Sequence, residues 1–397
     1  MSLSEMMDLD LFAGGGGLAI GLVAAGFRPL ELYEKDTVAC DTLRRNARYN
    51  GSLLSANVHE EDVINVEWRH LQDRVRLLAA GAPCQPFSLA GRHKAANDGR
   101  NLFPEVVRAV RETRPAAVMI ENVRGLLRQD FAPYFEYILR HLECPSIQPM
   151  QGEMWADHDQ RIRRHQCSVG YRPEYWISRT LLNAADFGVA QVRMRVFVVA
   201  TRHDLPPFRF PAATHSKYVL MCSQADGSYW KRHGLKPPAA KFPRPVELSG
   251  DKLLPWRTVR DEIRTLPDPA GTQKHALANH WVIPGARSYP GHSGSLWDWP
   301  AKTVKAGVHG VPGGENTLSE QNGTVRYFTL RELARLQSFP DEHVFSGARI
   351  HVTRQIGNAV PCKLAEVIAR PLFQLIQANL IDEKECGGHH VAAASGI

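Results

Sequence analysis

No stretch of this chain is long, apolar and uncharged enough to span a bilayer, so no membrane partner is expected. Cysteine is sparse: seven residues, at 40, 84, 144, 167, 222, 362 and 386, without a C-x-x-C pair. An odd, scattered set argues against a disulfide framework and against a zinc site, and no metal is expected. Such usage suits a reducing cytoplasm. The apolar run Leu11–Phe27 holds six glycines and follows an acidic N-terminus, so it reads as strand, turn and helix rather than as a secretory leader. With 397 residues, 44% hydrophobic and 22% charged, the chain is neither disordered nor a small scaffold and is long enough for a full α/β core plus a second lobe. A net charge of +7 permits a polyanionic partner without requiring one.

From the N-terminus to about Thr201, strand-like and helical patterns alternate. Met7–Leu11, Pro29–Tyr33, Val75–Ala80, Ala116–Ile120, Tyr175–Leu182 and Val196–Ala200 read as strands. Helices are expected at Leu18–Ala25 with a stop at Gly26, at Asp36–Asn50 capped by Asp36, at Leu102–Glu112 and at Phe131–Leu142. This alternation predicts an α/β fold, a doubly wound and mostly parallel Rossmann-like sheet, over residues 1–201. Proline, glycine, histidine, tryptophan and lysine then crowd in, and 202–345 reads as a second, smaller and loop-rich domain. Helical character returns at Thr329–Ser338, stopped by Pro340, and at Cys362–Ala378; residues 387–397 read as a disordered tail.

Asp10-Leu11-Phe12-Ala13-Gly14-Gly15-Gly16-Gly17 joins the first strand to the first helix. Glycine lets the backbone turn tightly and approach a ligand, and the helix start offers unpaired N–H groups to an anion. Gly14-x-Gly16-x-x-Ala19 satisfies the dinucleotide fingerprint, and Glu34, twenty positions after Gly14, ends the second strand where a carboxylate would grip ribose hydroxyls. NAD and S-adenosylmethionine fit this pattern equally, since both carry an adenosine ribose. Asp62-Val63 follows the place where a third strand would end and would meet the adenine.

A second constellation carries chemistry. Cys84, in Gly81-Ala82-Pro83-Cys84-Gln85-Pro86-Phe87-Ser88, lies at a strand's C-terminal end, where open α/β sheets place ligands. Glu121-Asn122-Val123 follows the strand Ala116–Ile120. Gln191-Val192-Arg193-Met194-Arg195 leads into Val196–Ala200, and two arginines two apart on an extended segment project to one side. A thiol, a carboxylate and an arginine pair thus gather at strand ends of one sheet.

With these pieces in order, the chain resembles the DNA cytosine-5 methyltransferase family. The matching motifs are Phe12–Gly17, Pro83–Ser88, Glu121-Asn122-Val123, Gln191-x-Arg193-x-Arg195, Arg331-Glu332-Leu333-Ala334-Arg335-Leu336-Gln337-Ser338-Phe339-Pro340 and Gly357-Asn358-Ala359-Val360-Pro361. They cover most of the chain outside Arg202–Leu296. Ala190 departs from the proline the family often carries there, and Ser146–Val169 reads as an insertion.

The resemblance implies S-adenosylmethionine as cofactor, with S-adenosylhomocysteine as product. Its contacts would be Asp10, Phe12, Ala13, Gly14, Gly16, Gly17, Glu34, Asp62, Val63 and Pro83, joined by Asn358 and Val360 as residues 346–386 return to the catalytic domain. It implies Cys84 as the nucleophile that adds to C6 of cytosine, Glu121 on N3 and the exocyclic amine, Arg195 on O2, and Arg193 orienting Glu121 and the Cys84 loop. A stacked base hides C6, so the cytosine must leave the duplex and the loop Gln85–Arg100 must close as a lid, with Ser88, Arg92 or Lys94 on phosphates. The implied partner is duplex DNA, and a cognate restriction endonuclease is a candidate second partner for an enzyme acting as a monomer near the nucleoid.

Sequence recognition would reside between Arg202 and Arg326. There Trp230-Lys231-Arg232-His233, Lys241, Arg244, Lys252, Trp256-Arg257, His292 and His309–Gly314 mix basic, aromatic and glycine residues, and Thr303–Gly314 is the candidate DNA-entering loop. A hinge near Asp341–Ile356 would set the cleft. Rival readings are a tRNA cytosine-5 methyltransferase, a DNA-binding regulator that has lost catalysis, and an NAD-dependent oxidoreductase. The last leaves Pro83-Cys84-Gln85 and Glu121-Asn122 unexplained.

Overall fold

The computed structural model describes residues 6–48, 53, 55–83, 102–238, 252–270, 277–287, 294–307, 316–320 and 322–392, with side chains as far as Ile381. The N-terminal half runs β1 (Met7–Leu11), α1 (Gly17–Ala25), β2 (Arg28–Glu34), α2 (Thr37–Ala47), β3 (Asn57–Glu60), β4 (Leu77–Ala80), α3 (Phe103–Thr113), β5 (Ala117–Val123), α4 (Ala132–Glu143), α5 (Trp155–Gln166), β6 (Tyr175–Asn183) and β7 (Met194–Arg202). These strands form one seven-stranded sheet in the order β3-β2-β1-β4-β5-β7-β6. The central pairs are parallel, whereas β7 runs antiparallel to both β5 and β6. The expected α/β sheet is present.

Local chemistry explains the element ends. The Asp36 carboxylate accepts from the Ala39 N–H at 2.9 Å and starts α2, and Gly26 ends α1 at φ 117°, a left-handed geometry that a side chain resists. Side-chain alternation gives the sheet two buried faces. Leu9, Leu11, Leu78, Ala80, Val118 and Ile120 meet α3 and α4 on one face. Leu77, Ala79, Ala117, Met119, Phe197 and Val199 face α1 and the C-terminal helix on the other.

The remaining elements are β8 (His215–Ser216), α6 (Lys217–Ala225), α7 (Ser228–Arg232), β9 (Leu254–Pro255), α8 (Val259–Ile263), β10 (Ser295–Leu296), β11 (Thr317–Ser319), β12 (Val325–Tyr327), α9 (Leu330–Leu336), α10 (Arg349–Asn358) and α11 (Cys362–Ala392). Thr329 and Glu332 make a reciprocal capping box at the start of α9. Trp230 and Trp256 are core residues of the second lobe, and their indole N–H groups donate to Gln224 O at 3.0 Å and Asp186 Oδ1 at 2.9 Å.

Three expectations change. The segment 341–356, read as a hinge, includes most of α10, which packs its buried Val352 and Ile356 into a core shared with α1, α2 and α9. Residues 387–392 are helical, because no proline after Pro371 interrupts α11 and Gly387-Gly388 weakens a helix without removing its donors. At the start of Thr303–Gly314, Val304 is fully buried at the lobe junction, so Thr303–Val304 is docked on the catalytic half rather than free to enter DNA. His309–Gly314 lies outside the described residues, as do Lys241, Arg244 and His292.

Close approach of α1 and α11 depends on two glycines. A Cβ on Gly17 would stand 2.4 Å from Val360 O, and one on Gly21 would stand 2.4 Å from Ala365 Cβ. Neither position has room for a side chain. Among the described residues, no helix is long and apolar enough to cross a membrane, and no group of three or more His, Cys, Asp or Glu side chains is placed to hold a metal.

Candidate active site

The glycine loop leaves the sheet at the C-terminal end of β1 and turns through left-handed Phe12 (φ 61°), Gly14 (φ 53°) and Gly16 (φ 87°). Ala13 N donates to Tyr33 O at 3.0 Å, and Gly14 N donates to Glu34 Oε2 at 2.9 Å. The other Glu34 oxygen accepts from Lys35 N and Asp36 N, both at 2.8 Å. Glu34 is therefore fixed at the β2 end beside the loop. Asp62, following β3, accepts from Ile64 N at 3.2 Å and stands 3.4 Å from Lys35 Nζ, while Val63 is buried. At the helix start, Val360 covers Gly17 through its carbonyl. Loop, Glu34 and Asp62 thus lie at the C-terminal ends of neighbouring strands, with Val360 against Gly17, and Gly14 is partly exposed. These residues fit an adenosine-bearing group: a glycine turn partly exposed at Phe12 and Gly14, a partly exposed carboxylate at the ribose position, and a second carboxylate beyond it.

Asp10 differs from its neighbours. It is fully buried in β1, and burial together with the charges of Asp8 and Glu34 holds its carboxyl well above the usual range. It supports the loop from within the core rather than lining a surface. Asp8, two residues earlier on the same face, is also fully buried, and desolvation pushes its carboxyl up to about 8.

The second cluster lies at the ends of β5 and β7. Val123 pairs with Arg195 in the antiparallel register, which carries the Arg195 guanidinium across to Glu121. Arg195 Nε and Glu121 Oε1 form an ion pair at 2.7 Å, with side chains only 12% and 9% exposed. Asn122 donates from Nδ2 to Ala82 O at 3.2 Å and so ties the end of β5 to the segment leading into Cys84. Pro83 is half-buried there; Cys84, Ser88, Arg92 and Lys94 lie outside the described residues, with the proposed lid.

Arg193 is fully buried. Its guanidinium donates to Val304 O at 3.0 Å, Gly357 O at 2.8 Å and Ala359 O at 3.0 Å, while Glu121 is paired with Arg195. Beside it, Gln191 accepts from Val304 N at 2.9 Å and donates to Gln337 Oε1 at 2.9 Å, and Gln337 donates to Ile356 O at 2.6 Å. Arg193, Gln191 and Gln337 therefore join β7, the second lobe and the segment before α11. Asn358 is exposed at the end of α10. The sequence names Gln191 and Gln337 only as motif members; their roles require a contact about 146 residues apart that no local pattern reveals.

A family model described as C-5 cytosine-specific DNA methylase matches residues 6–144, 160–242 and 251–374. The unmatched 145–159 overlaps the first part of the stretch read as an insertion and contains the start of α5. The Type II methyltransferase M.PspPI of Psychrobacter sp. (strain TA137) is 31% identical over 378 residues, spanning 93% of this chain and 79% of that protein. M.NgoMIV, a Type II methyltransferase of Neisseria gonorrhoeae, is 30% identical over 379 residues, spanning 94% and 99%. Among solved structures, the Dnmt2 methyltransferase of S. pombe superposes with a TM-score of 0.55 at 16% identity, covering 94% of this chain and 99% of that one.

Proposed function

The chain belongs to the C-5 cytosine-specific DNA methylase family, its activity is methylation of cytosine at C5, and from that premise we propose how its own residues do the work. Cys84 attacks C6 of a cytosine turned out of the duplex, forming a C6–S bond and pushing an electron pair toward C5. Glu121 meets N3 and the exocyclic amine, offsetting the charge that builds on the ring, and Arg195 meets O2. The glycine loop, Glu34 and Asp62 would hold S-adenosylmethionine, which would supply an electrophilic methyl for C5 and leave as S-adenosylhomocysteine. Loss of the C5 proton then restores the double bond and expels the thiolate.

What carries this reading is the pairing of Glu121 with Arg195 at strand ends, next to the Ala82-Pro83 segment that Asn122 holds. In low-dielectric surroundings the ion pair keeps two oppositely charged groups ready for the two sides of one pyrimidine edge. Arg193 is a positioning residue: it fixes the strand that carries Arg195 relative to the second lobe. Ser88, Arg92 and Lys94 serve phosphates of the DNA, and a cognate restriction endonuclease is the partner suggested by the Type II relatives.

Transfer of labelled methyl groups from S-adenosylmethionine to duplex DNA, with tRNA in parallel, tests the substrate. Label in tRNA alone overturns the DNA reading. A 5-fluorocytosine duplex should trap a covalent adduct on the wild type and none on Cys84→Ala, which should still bind duplex; an adduct on the variant would show that the nucleophile is another residue.

A further inference from the structure

His343 belongs to none of the motifs above, yet the fold sets it against the cofactor loop. Its side chain is fully buried, with ring centroids 5.1 Å from Phe339 and 4.8 Å from Phe345. The ring lies within hydrogen-bonding reach of the Gly15 backbone, and a Cβ on Gly16 would stand 3.7 Å from its Cε1. Phe345 and Gln355 close the same side: a Cβ on Gly15 would stand 3.3 Å from Phe345 Cε1 and 3.1 Å from Gln355 Cβ.

The backbone that carries His343 is itself pinned. His343 N donates to Pro340 O at 3.1 Å, and its carbonyl accepts from Arg331 Nη2 at 2.7 Å. The next residues are fastened to α2, behind the adenosine side of the loop. Val344 N donates to Asn46 Oδ1 at 3.0 Å, Asn46 Nδ2 donates to Val344 O at 3.0 Å, and Ser346 N donates to Thr42 Oγ1 at 2.9 Å.

We propose that His343 is a positioning residue for the cofactor loop, its ring fixing the Gly15-Gly16 turn in the shape that S-adenosylmethionine binding requires. Phenylalanine would fill the same slot between two phenylalanines without burying a polar ring. An imidazole in such a place costs free energy unless its N–H has a partner, and the loop backbone is within its reach. Burial, aided by the Arg331 charge, pushes the imidazole down to about 3, so the ring is neutral and keeps one N–H to donate at any working pH.

The proposal rests on the glycine loop being the cofactor site, and two readouts separate the two ideas. In calorimetric titration of the full-length protein with S-adenosylmethionine, His343→Phe is expected to bind about fivefold more weakly, as loss of one buried hydrogen bond implies. The KM for the cofactor should rise by the same factor, with kcat and duplex affinity unchanged. His343→Gln, which retains an N–H donor, should recover most of the lost affinity. Cofactor affinity of His343→Phe within twofold of wild type overturns the proposal. If His343→Phe fails to fold, His343→Gln is compared with His343→Met, on the same criteria.

Amide hydrogen exchange of Gly15–Gly17 without cofactor is the independent measurement. Faster exchange there in His343→Phe, with the exchange of β4 and β5 unaltered, supports positioning, and unchanged exchange of the loop overturns it. Failure of the wild type to bind S-adenosylmethionine would remove the cofactor assignment while leaving the exchange result to decide the role of His343.

Discussion

Replacing Asp8 with asparagine should stabilise the protein, by an amount that grows as pH rises. Asp8 is fully buried in β1, where its register partners are Pro29 and Leu77 and, Asp10 apart, its face of the sheet is apolar. Its carboxyl titrates near pH 8 in the fold, against 3.8 for the ordinary group. A raised pKa means that the fold is favoured while the group is protonated and loses that advantage as pH climbs from the unfolded value to the folded one. At pH 7 the unfolded chain is ionised and the fold holds a proton, so the penalty is about 4 kcal/mol, from roughly three pH units at about 1.4 kcal/mol each. Asparagine, nearly isosteric, never ionises. Urea midpoints at pH 5, 6, 7 and 8 should give a variant-minus-wild-type difference that widens by about 1.4 kcal/mol per unit and levels off above 8. Parallel profiles would show that Asp8 is ionised in the fold, and the account of a buried, neutral β1 would fail.

Glu121→Gln should lower kcat by roughly a hundredfold or more while duplex affinity holds, since only the reacting ring needs the acid; equal loss of both would place Glu121 at the DNA surface. Arg193→Met removes the donor to three backbone carbonyls and should cost about 3–5 kcal/mol in urea unfolding, whereas unchanged stability with lost turnover would put the guanidinium on the substrate. Gly21→Ala forces a Cβ within 2.5 Å of Cys362 O and should cost about 1–3 kcal/mol, read as a lower melting temperature; an unaltered melt would mean that α1 and α11 stand further apart.

How far the sequence could be read follows from the range of each interaction. Asp36 and the Gly26 stop are local signals, so α1 and α2 are recognisable within a few residues. The apolar runs behind β4 and β5 mark strands buried on both faces. Strand direction is not local: β7 reads like its neighbours and runs the other way, because nothing within its residues records which partner it meets. Arg193 and Arg195 show the same limit. Alternation in an extended chain predicts a common side, yet one guanidinium finds Glu121 and the other finds three carbonyls, two of them more than 160 positions away. For α10, mixed polarity hides a helix whose buried side is set by α1, α2 and α9. His343 offers no signal in the chain, since its meaning depends on a glycine turn made at the opposite end.

The apolar character of α1 has a consequence for biosynthesis. Leu18 and Leu22 are buried between the sheet and α11, and Ala19 and Ile20 in the core shared with α2, α9 and α10, so the helix is apolar on both sides. Cys362 is translated about 340 residues after Ala25, a delay of roughly 20–70 s at typical elongation rates. A nascent chain must therefore keep α1 sheltered, by chaperones or by transient partners, until α11 has emerged. Premature termination anywhere before α11 would leave an oily, unsealed product destined for proteolysis or aggregation rather than a smaller working enzyme.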